Sequence, residues 1–269
     1  MTLVRTETAR GHAYTLDGEP VTGVTSLVSG GLPKPALVPW AAKSAARYAV
    51  DNWRALAPLV ASGEAEAAFD EIRRAPLRER NAAAARGTEV HRYANALSRD
   101  ADAEVPDELF GYVTACADFL DDWGVTPLLT EAVVGSRIHQ YAGTLDLVAK
   151  LPGGEVALFD YKTAASGIWP DTALQLAAYR RADFYLNEDG AEVPLYLLGV
   201  TTAYAVHLRP DGYAVHPLDT SEEAFRRFLD VATVARAAPT LSALVRDPVT
   251  PAHLLKTLET PMSGTDSDA

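Results

Sequence analysis

Residues 141–163 read YAGTLDLVAKLPGGEVALFDYKT. Two short apolar segments, rich in β-branched and aromatic residues, flank Leu151-Pro152-Gly153-Gly154-Glu155, which is the composition of a β-hairpin. Each arm carries an ionisable residue where a buried strand wants an apolar one. These are Asp146 on the first arm and Asp160 on the second, with Lys162 two residues further on. Side chains alternate along a strand, so Asp160 and Lys162 share a face. A three-residue loop, Pro152 to Gly154, pairs Leu151 with Glu155 and in the same register sets Asp146 opposite Asp160. Directly opposed residues have Cβ atoms roughly 4.5–5.5 Å apart, and like charges there repel. The two aspartates share a face only if the loop has an odd number of residues or a bulge makes up the difference. Two carboxylates so placed need a cation between them, and a divalent metal is the obvious candidate.

The surrounding composition narrows the class. Hydrophobic content of 48% and charged content of 22% over 269 residues are those of a soluble globular protein. No apolar run approaches the ~18–20 residues of a membrane span, and MTLVRTETARGH at the start lacks the apolar core of a signal peptide. The expected location is therefore cytoplasmic. The single cysteine, Cys116, excludes an internal disulfide, a four-cysteine iron–sulfur cluster and a multi-cysteine zinc site. The net charge of −12 argues against indiscriminate coating of nucleic acid, but its distribution is uneven. Residues 31–100 hold eleven Lys/Arg against eight Asp/Glu, whereas residues 101–269 hold eleven against twenty-five. The first third can face a polyanion; solvated helix faces account for the same count equally well.

Taken in order, residues 13–27 predict a small hairpin about Asp17-Gly18 and a helix start at Thr25 or Ser26. Residues 30–35 (GGLPKP) are a loop. Residues 36–61 are helical in pattern, with Leu37, Trp40, Ala41, Ala45, Tyr48 and Ala49 on one face. After Gly63 a second helical stretch carries Arg73, Arg74, Arg78 and Arg80 to about Ala85, and residues 1–85 read as an N-terminal hairpin and helical elaboration. A new helix is expected at Arg86-Gly87-Thr88-Glu89-Val90-His91, with Thr88 as N-cap, ending near Leu97. The next spans 106–123, with Leu109, Phe110, Val113, Cys116, Ala117 and Leu120 inward and Gly124 as its stop. Cys116 on that apolar face reads as core packing, not as a nucleophile.

Strands follow at 128–137, 141–151 and 155–163, then a helix from Trp169-Pro170-Asp171 to about Tyr185. Residues 193–208 form a β-prone apolar segment, and Pro210-Asp211-Gly212 turns it into a return strand at 213–216. Thr220-Ser221-Glu222-Glu223 fits a capping box before a final helix. The expected organisation is a core over 86–240 and a C-terminal extension over 241–269 whose polar end, MSGTDSDA, reads as disordered. The element order describes an α/β chain, α+β in character, with a mixed central sheet flanked by helices. Gly153-Gly154 lies inside the hairpin, so a phosphate-loop reading fails.

Burying Asp146 and Asp160 unpaired costs several kcal/mol or neutralises them. An Asp–Lys pair satisfies one carboxylate and leaves the other unexplained, whereas Mg²⁺, which takes oxygen ligands, gives all three residues roles. The sequence GTLDLV, a short turn, then FDYKT resembles the PD-(D/E)xK nuclease superfamily, and more narrowly its RecB-like exonuclease branch of phage and bacterial type. RGTEVH at 86–91 is similar to the helix segment whose histidine is a metal ligand in that branch. Glu131 matches the acidic residue of the preceding strand, and QLAAY at 175–179 matches the QxxxY motif, Gln175 and Tyr179 sharing a helix face.

The resemblance covers about residues 86–185 and implies a restriction-endonuclease-like core. It also implies Mg²⁺- or Mn²⁺-dependent hydrolysis of DNA, most simply by an exonuclease serving recombination, repair or phage DNA processing. By that resemblance His91, Asp146, Asp160 and the Tyr161 carbonyl hold the metal, and Lys162 positions the attacking water. Glu131, Gln175 and Tyr179 complete the catalytic set. DNA is then the partner, alongside a recombination or single-strand-binding protein, in a bacterial or phage-infected cell. Lys34, Lys43, Arg73, Arg74 and Arg86 are candidates for backbone contacts, while Trp40 and Tyr48 read as core residues before stacking platforms. Relatives that carry an iron–sulfur cluster use four cysteines, which this chain lacks. The alternative is a nuclease-fold protein that binds DNA or a partner without cutting; a non-nuclease metal hydrolase is a third reading.

Overall fold

A computed structural model describes residues 2–8, 11–99, 101 and 103–248. The expected hairpin about Asp17-Gly18 forms, between β2 (Gly11–Leu16) and β3 (Glu19–Gly23), and a further strand, β1 (Leu3–Thr8), pairs antiparallel with β2. Then come α1 (Val24–Gly31), α2 (Leu37–Asp51), α3 (Trp53–Ala61), α4 (Ala65–Leu97) and α5 (Asp107–Asp122). The next elements are β4 (Thr126–Ser136), β5 (Tyr141–Lys150), β6 (Val156–Lys162) and α6 (Asp171–Arg180). They are followed by β7 (Phe184–Leu186), β8 (Glu192–Pro194), β9 (Val200–Arg209), β10 (Gly212–Pro217) and α7 (Glu222–Ala237). The result is a mixed α/β architecture.

Helices cover both faces of the sheet. On one, α1, α6 and α7 contribute Leu27, Leu176, Phe225 and Phe228 to a core with Tyr141, Leu145, Val148 and Leu158 of the strands. On the other, α4 and α5 contribute Val90, Tyr93, Leu109, Cys116 and Phe119 against Leu147, Phe159, Tyr161 and Val206. Cys116 is buried there and its thiol is pushed up to about 12 by that burial, as a packing residue requires.

Several sequence expectations are corrected. Helix α4 runs unbroken from residue 65 to 97, so no helix begins at Arg86 and Thr88 is not an N-cap. Its hydroxyl donates back to the Ala84 carbonyl (3.2 Å) within the helix. The run Ala82–Ala85 has the highest helix propensity available and carries the helix across Gly87. One helix thus crosses residues 85 and 86, and the first strands belong to the sheet: Thr22 and Gly23 pair in parallel with Tyr141 and Ala142. The stretch 36–61 is two helices separated at Asn52, and α2 buries none of its residues. Tyr48 lies under Arg78 and donates to Glu71 instead of entering a core. Phe110 is 62% exposed because α5 turns Leu109, Val113, Cys116 and Phe119 inward. Helix α6 stops at Arg180, and Tyr185 lies on β7. A 3₁₀ turn at Leu195–Leu198 divides the apolar 193–208 segment. At α7, Ser221 alone caps, accepting from the Ala224 N–H; the Thr220 hydroxyl instead receives Arg180. The MSGTDSDA end lies outside the described residues.

The loop of the central hairpin is the three residues Pro152 to Gly154, closed by the Leu151 N–H on the Glu155 carbonyl (2.8 Å). Gly154 at φ 87° supplies the left-handed position such a loop needs. Pairing runs from Lys150↔Val156 to Leu147↔Phe159. One step further it would join Asp146 to Asp160; there the ladder ends, and the Asp146 carboxylate accepts the Tyr161 N–H (2.8 Å) in place of a strand partner.

Candidate metal centre

Strand β5 is shared at one edge between two neighbours. Its first two residues pair with β3 and its last four with β6, while β4 runs along the other edge. Residues 143–146 face the fork between β3 and β6. The centre gathers around this part of β5, with Asp146 on β5 itself, Glu131 on β4 along the other edge and His91 on α4.

The alternation of the sheet also slips at this level. Leu145 and Val148, three residues apart, both pack against the α1–α6–α7 layer, while Leu147 packs on the opposite side. On β4, Leu129 and Ala132 repeat the pattern. Between them lies Glu131 at φ 47°, a left-handed residue inside a strand. That conformation costs a side-chain-bearing residue roughly 1–2 kcal/mol; the register shift of the strand lies earlier, between Pro127 and Leu129. The register Thr130↔Leu147 and Ala132↔Leu145 brackets Glu131 against Asp146. One ligand atom each from His91, Glu131 and Asp146 lie within 4.8 Å of one another.

His91 descends from α4. Its Nδ1 is 3.4 Å from Asp146 Oδ1, and its Nε2 is 2.8 Å from the Tyr161 carbonyl. Both partners only accept, an arrangement that favours the doubly protonated, cationic ring. Burial opposes that charge, but Asp146 outweighs it and raises the His91 pKa to about 9. Burial likewise acts to raise the Asp146 carboxyl, yet His91 and the Tyr161 N–H hold it below its ordinary value. Glu131 rises to about 7, first through burial and then through the Asp146 charge.

The second half of the hairpin forms an adjoining cluster. The Lys162 ammonium is 2.5 Å from Asp160 Oδ2 and donates to Gln175 Oε1 (3.3 Å). Gln175 Nε2 donates to Asp160 Oδ1 (3.1 Å) and to the Tyr179 hydroxyl (3.3 Å). Burial raises the Asp160 carboxyl despite the lysine beside it. Burial also opposes the Lys162 charge, but Asp160 and Asp146 keep its pKa above the usual range. The Tyr179 ring lies on Gly143: a Cβ there would sit 2.4 Å from its Cε1.

The sequence-derived ligand set is thus redistributed. His91 and Asp146 stand together with Glu131 in place of Asp160, whose carboxylate is turned to Lys162 and Gln175. The Tyr161 carbonyl faces His91. Of the cations proposed for DNA, Lys34 pairs with Asp171 (3.0 Å) at the start of α6, beside the lysine cluster. Arg86 stands five residues before His91 on α4, its guanidinium 5.9 Å from the Tyr112 ring. Arg73 and Arg74 share Asp70 and lie roughly 27 Å along the helix from His91 at 1.5 Å per residue. Lys43 is exposed on α2. The sequence reading missed Tyr14, whose hydroxyl meets Thr144 Oγ1 (2.9 Å) inside the fork; β1 and β2 carry no motif that would have marked it.

The donor set, one imidazole and two carboxylates drawn together by strands and a helix, fits a hard or borderline divalent cation. No family model and no curated protein matches the chain. Among solved structures, SSO0001 is similar over 84% of this chain and 76% of its own, at 14% identity and a TM-score of 0.30, a likeness too loose to carry a fold or a function.

Proposed function

We propose that the protein is a metal-dependent deoxyribonuclease with a restriction-endonuclease-like core. We take it to be an exonuclease that hydrolyses phosphodiester bonds during DNA recombination, repair or phage DNA processing. One observation carries this reading. The helix histidine, the strand glutamate and the hairpin aspartate, separated in sequence, meet around β5, with the Asp160-x-Lys162 pair of β6 adjoining them.

A divalent cation, Mg²⁺ or Mn²⁺, would, when bound, supply Lewis acidity toward a phosphate oxygen and an attacking water. His91, Glu131 and Asp146 would hold it, with Asp160 at its border. His91 must first release the proton it carries. Lys162, fixed by Asp160 and Gln175, orients the water for in-line attack and offsets negative charge as it develops on the phosphate. Gln175 and Tyr179 are positioning residues: Tyr179 steadies the amide that holds both Lys162 and Asp160.

The test is digestion of linear DNA with Mg²⁺ or Mn²⁺. Lys162→Ala is expected to slow cleavage by about 10²–10⁴-fold, with Asp160→Ala also strongly impaired. No digestion by the unaltered protein under any metal sinks the catalytic reading. One feature favours the alternative of a binding protein that does not cut. Lys162 and the His91 imidazolium already neutralise Asp160 and Asp146 without a metal. That reading predicts DNA retention with no cleavage and no metal-dependent rise in melting temperature.

A further inference from the structure

The β1–β2 ribbon lies across the sheet beside the fork. At its inner end Leu3 packs on β4: a Cβ at Gly135 would sit 2.9 Å from Leu3 Cδ2. Leu3, Leu16 and Tyr14 form a small core with Ala142 and Phe184. Cross-strand pairs share a face, and the register is Leu3↔Leu16, Arg5↔Tyr14, Glu7↔His12. That face therefore steps outward from an apolar anchor, through an arginine–tyrosine pair, to a glutamate–histidine pair. Tyr14, 5% exposed, fixes the level of the second step by its bond to Thr144. Thr144 is two residues from Asp146 on β5 and opposite Val133, itself two residues from Glu131 on β4. Arg5 is thereby carried alongside the carboxylates, and its charge reaches both Glu131 and Tyr14. Its guanidinium now rests on Glu7 of its own strand (2.9 Å), and the pair is solvent-accessible. Such exposed pairs hold weakly and exchange partners readily.

We propose that the ribbon is the second jaw of the site, opposite α4, and that Arg5 leaves Glu7 to grip a backbone phosphate of the nucleic acid next to the one being cut. This rests on the nuclease reading. A guanidinium matches a phosphate with two parallel N–H donors, and Tyr14, bonded to Thr144, is the positioning residue that sets its height. The grip is independent of base sequence, and it adds a contact that neither the hairpin nor α4 supplies.

Binding is measured separately from cleavage, by fluorescence anisotropy of a labelled DNA duplex and single strand with Ca²⁺ across a salt series. Mn²⁺ affinity is followed in parallel by calorimetry. Arg5→Ala is expected to weaken DNA binding about tenfold and to lower the salt slope by about one, with Mn²⁺ affinity undiminished. Arg5→Lys should recover the slope but only part of the affinity. In cleavage assays Arg5→Ala should raise KM more than it lowers kcat. If the unaltered protein binds DNA and Arg5→Ala matches it in affinity and slope, the jaw is overturned and the nuclease reading stands. If the unaltered protein neither binds nor cuts DNA, both fall.

Discussion

His91 is raised toward the cationic form beside Asp146, and in the proposed metal site it is the residue that would have to lose its proton for the ion to bind. Its folded pKa, about 9, lies above the free value of 6.5. The folded state therefore binds the extra proton, and the stability this confers is complete below about pH 6.5 and disappears as pH rises through 9. Glu131, raised from 4.5 to about 7, acts with the same sign over a lower window, since ionising it in place is costly. The metal-free protein should melt at progressively lower temperature from pH 6.5 to 9, as read by calorimetry, and His91→Ala should flatten that upper slope. With Mn²⁺ the dependence should reverse, because the ion takes the place of the proton. A metal-independent melting curve would exclude the centre. The aspartates and the lysine could be singled out from residue type and spacing, the histidine only through the resemblance of residues 86–91. Which second carboxylate would join Asp146 beside His91 was not legible. That choice depends on one left-handed residue, Glu131, and backbone strain at a glutamate has no signature in a sequence.

Among the elements, the hairpin and the helix after it form the best-specified pair. Gly143 provides the space into which Tyr179 fits, so Gly143→Ala should push the ring off Gln175. The expected cost is about 1–3 kcal/mol of overpacking, read by denaturant unfolding, with cleavage falling further than stability alone accounts for. An unchanged protein would mean the ring has another place to go. The three-residue loop and its register followed from Pro152 to Gly154 because turn chemistry is local. Helix ends were less legible. Arg86–His91 looked like a beginning because Gly87 and Thr88 resemble a cap, yet the alanines before them continue the helix, and only tertiary packing decides between the two. Strand β1 was invisible for the opposite reason: its exposed, polar sequence leaves Leu3 alone to bury.

At the scale of the molecule, two regions differ in how firmly they are held. The sheet is packed on both faces, whereas α2 buries no residue and, with α3, rests chiefly on α4. Native-state hydrogen exchange should therefore find α2 and α3 opening well before β5 and β6, and uniform protection across the chain would contradict this. The division of charge, basic over 31–100 and acidic beyond, was readable by counting; the loose attachment of the arm was not, because amphipathic spacing in 36–61 gives no sign of whether a partner surface is present. The fork in the sheet has one more consequence, for synthesis. Thr22 waits for Tyr141, roughly 120 residues later in the chain, or roughly 6–24 s at ribosomal rates of roughly 5–20 residues per second. Throughout that interval the first three strands have an open edge, and the charges of Arg5 and Glu7 on the outermost strand are the kind of feature that keeps a nascent ribbon from recruiting a neighbouring chain.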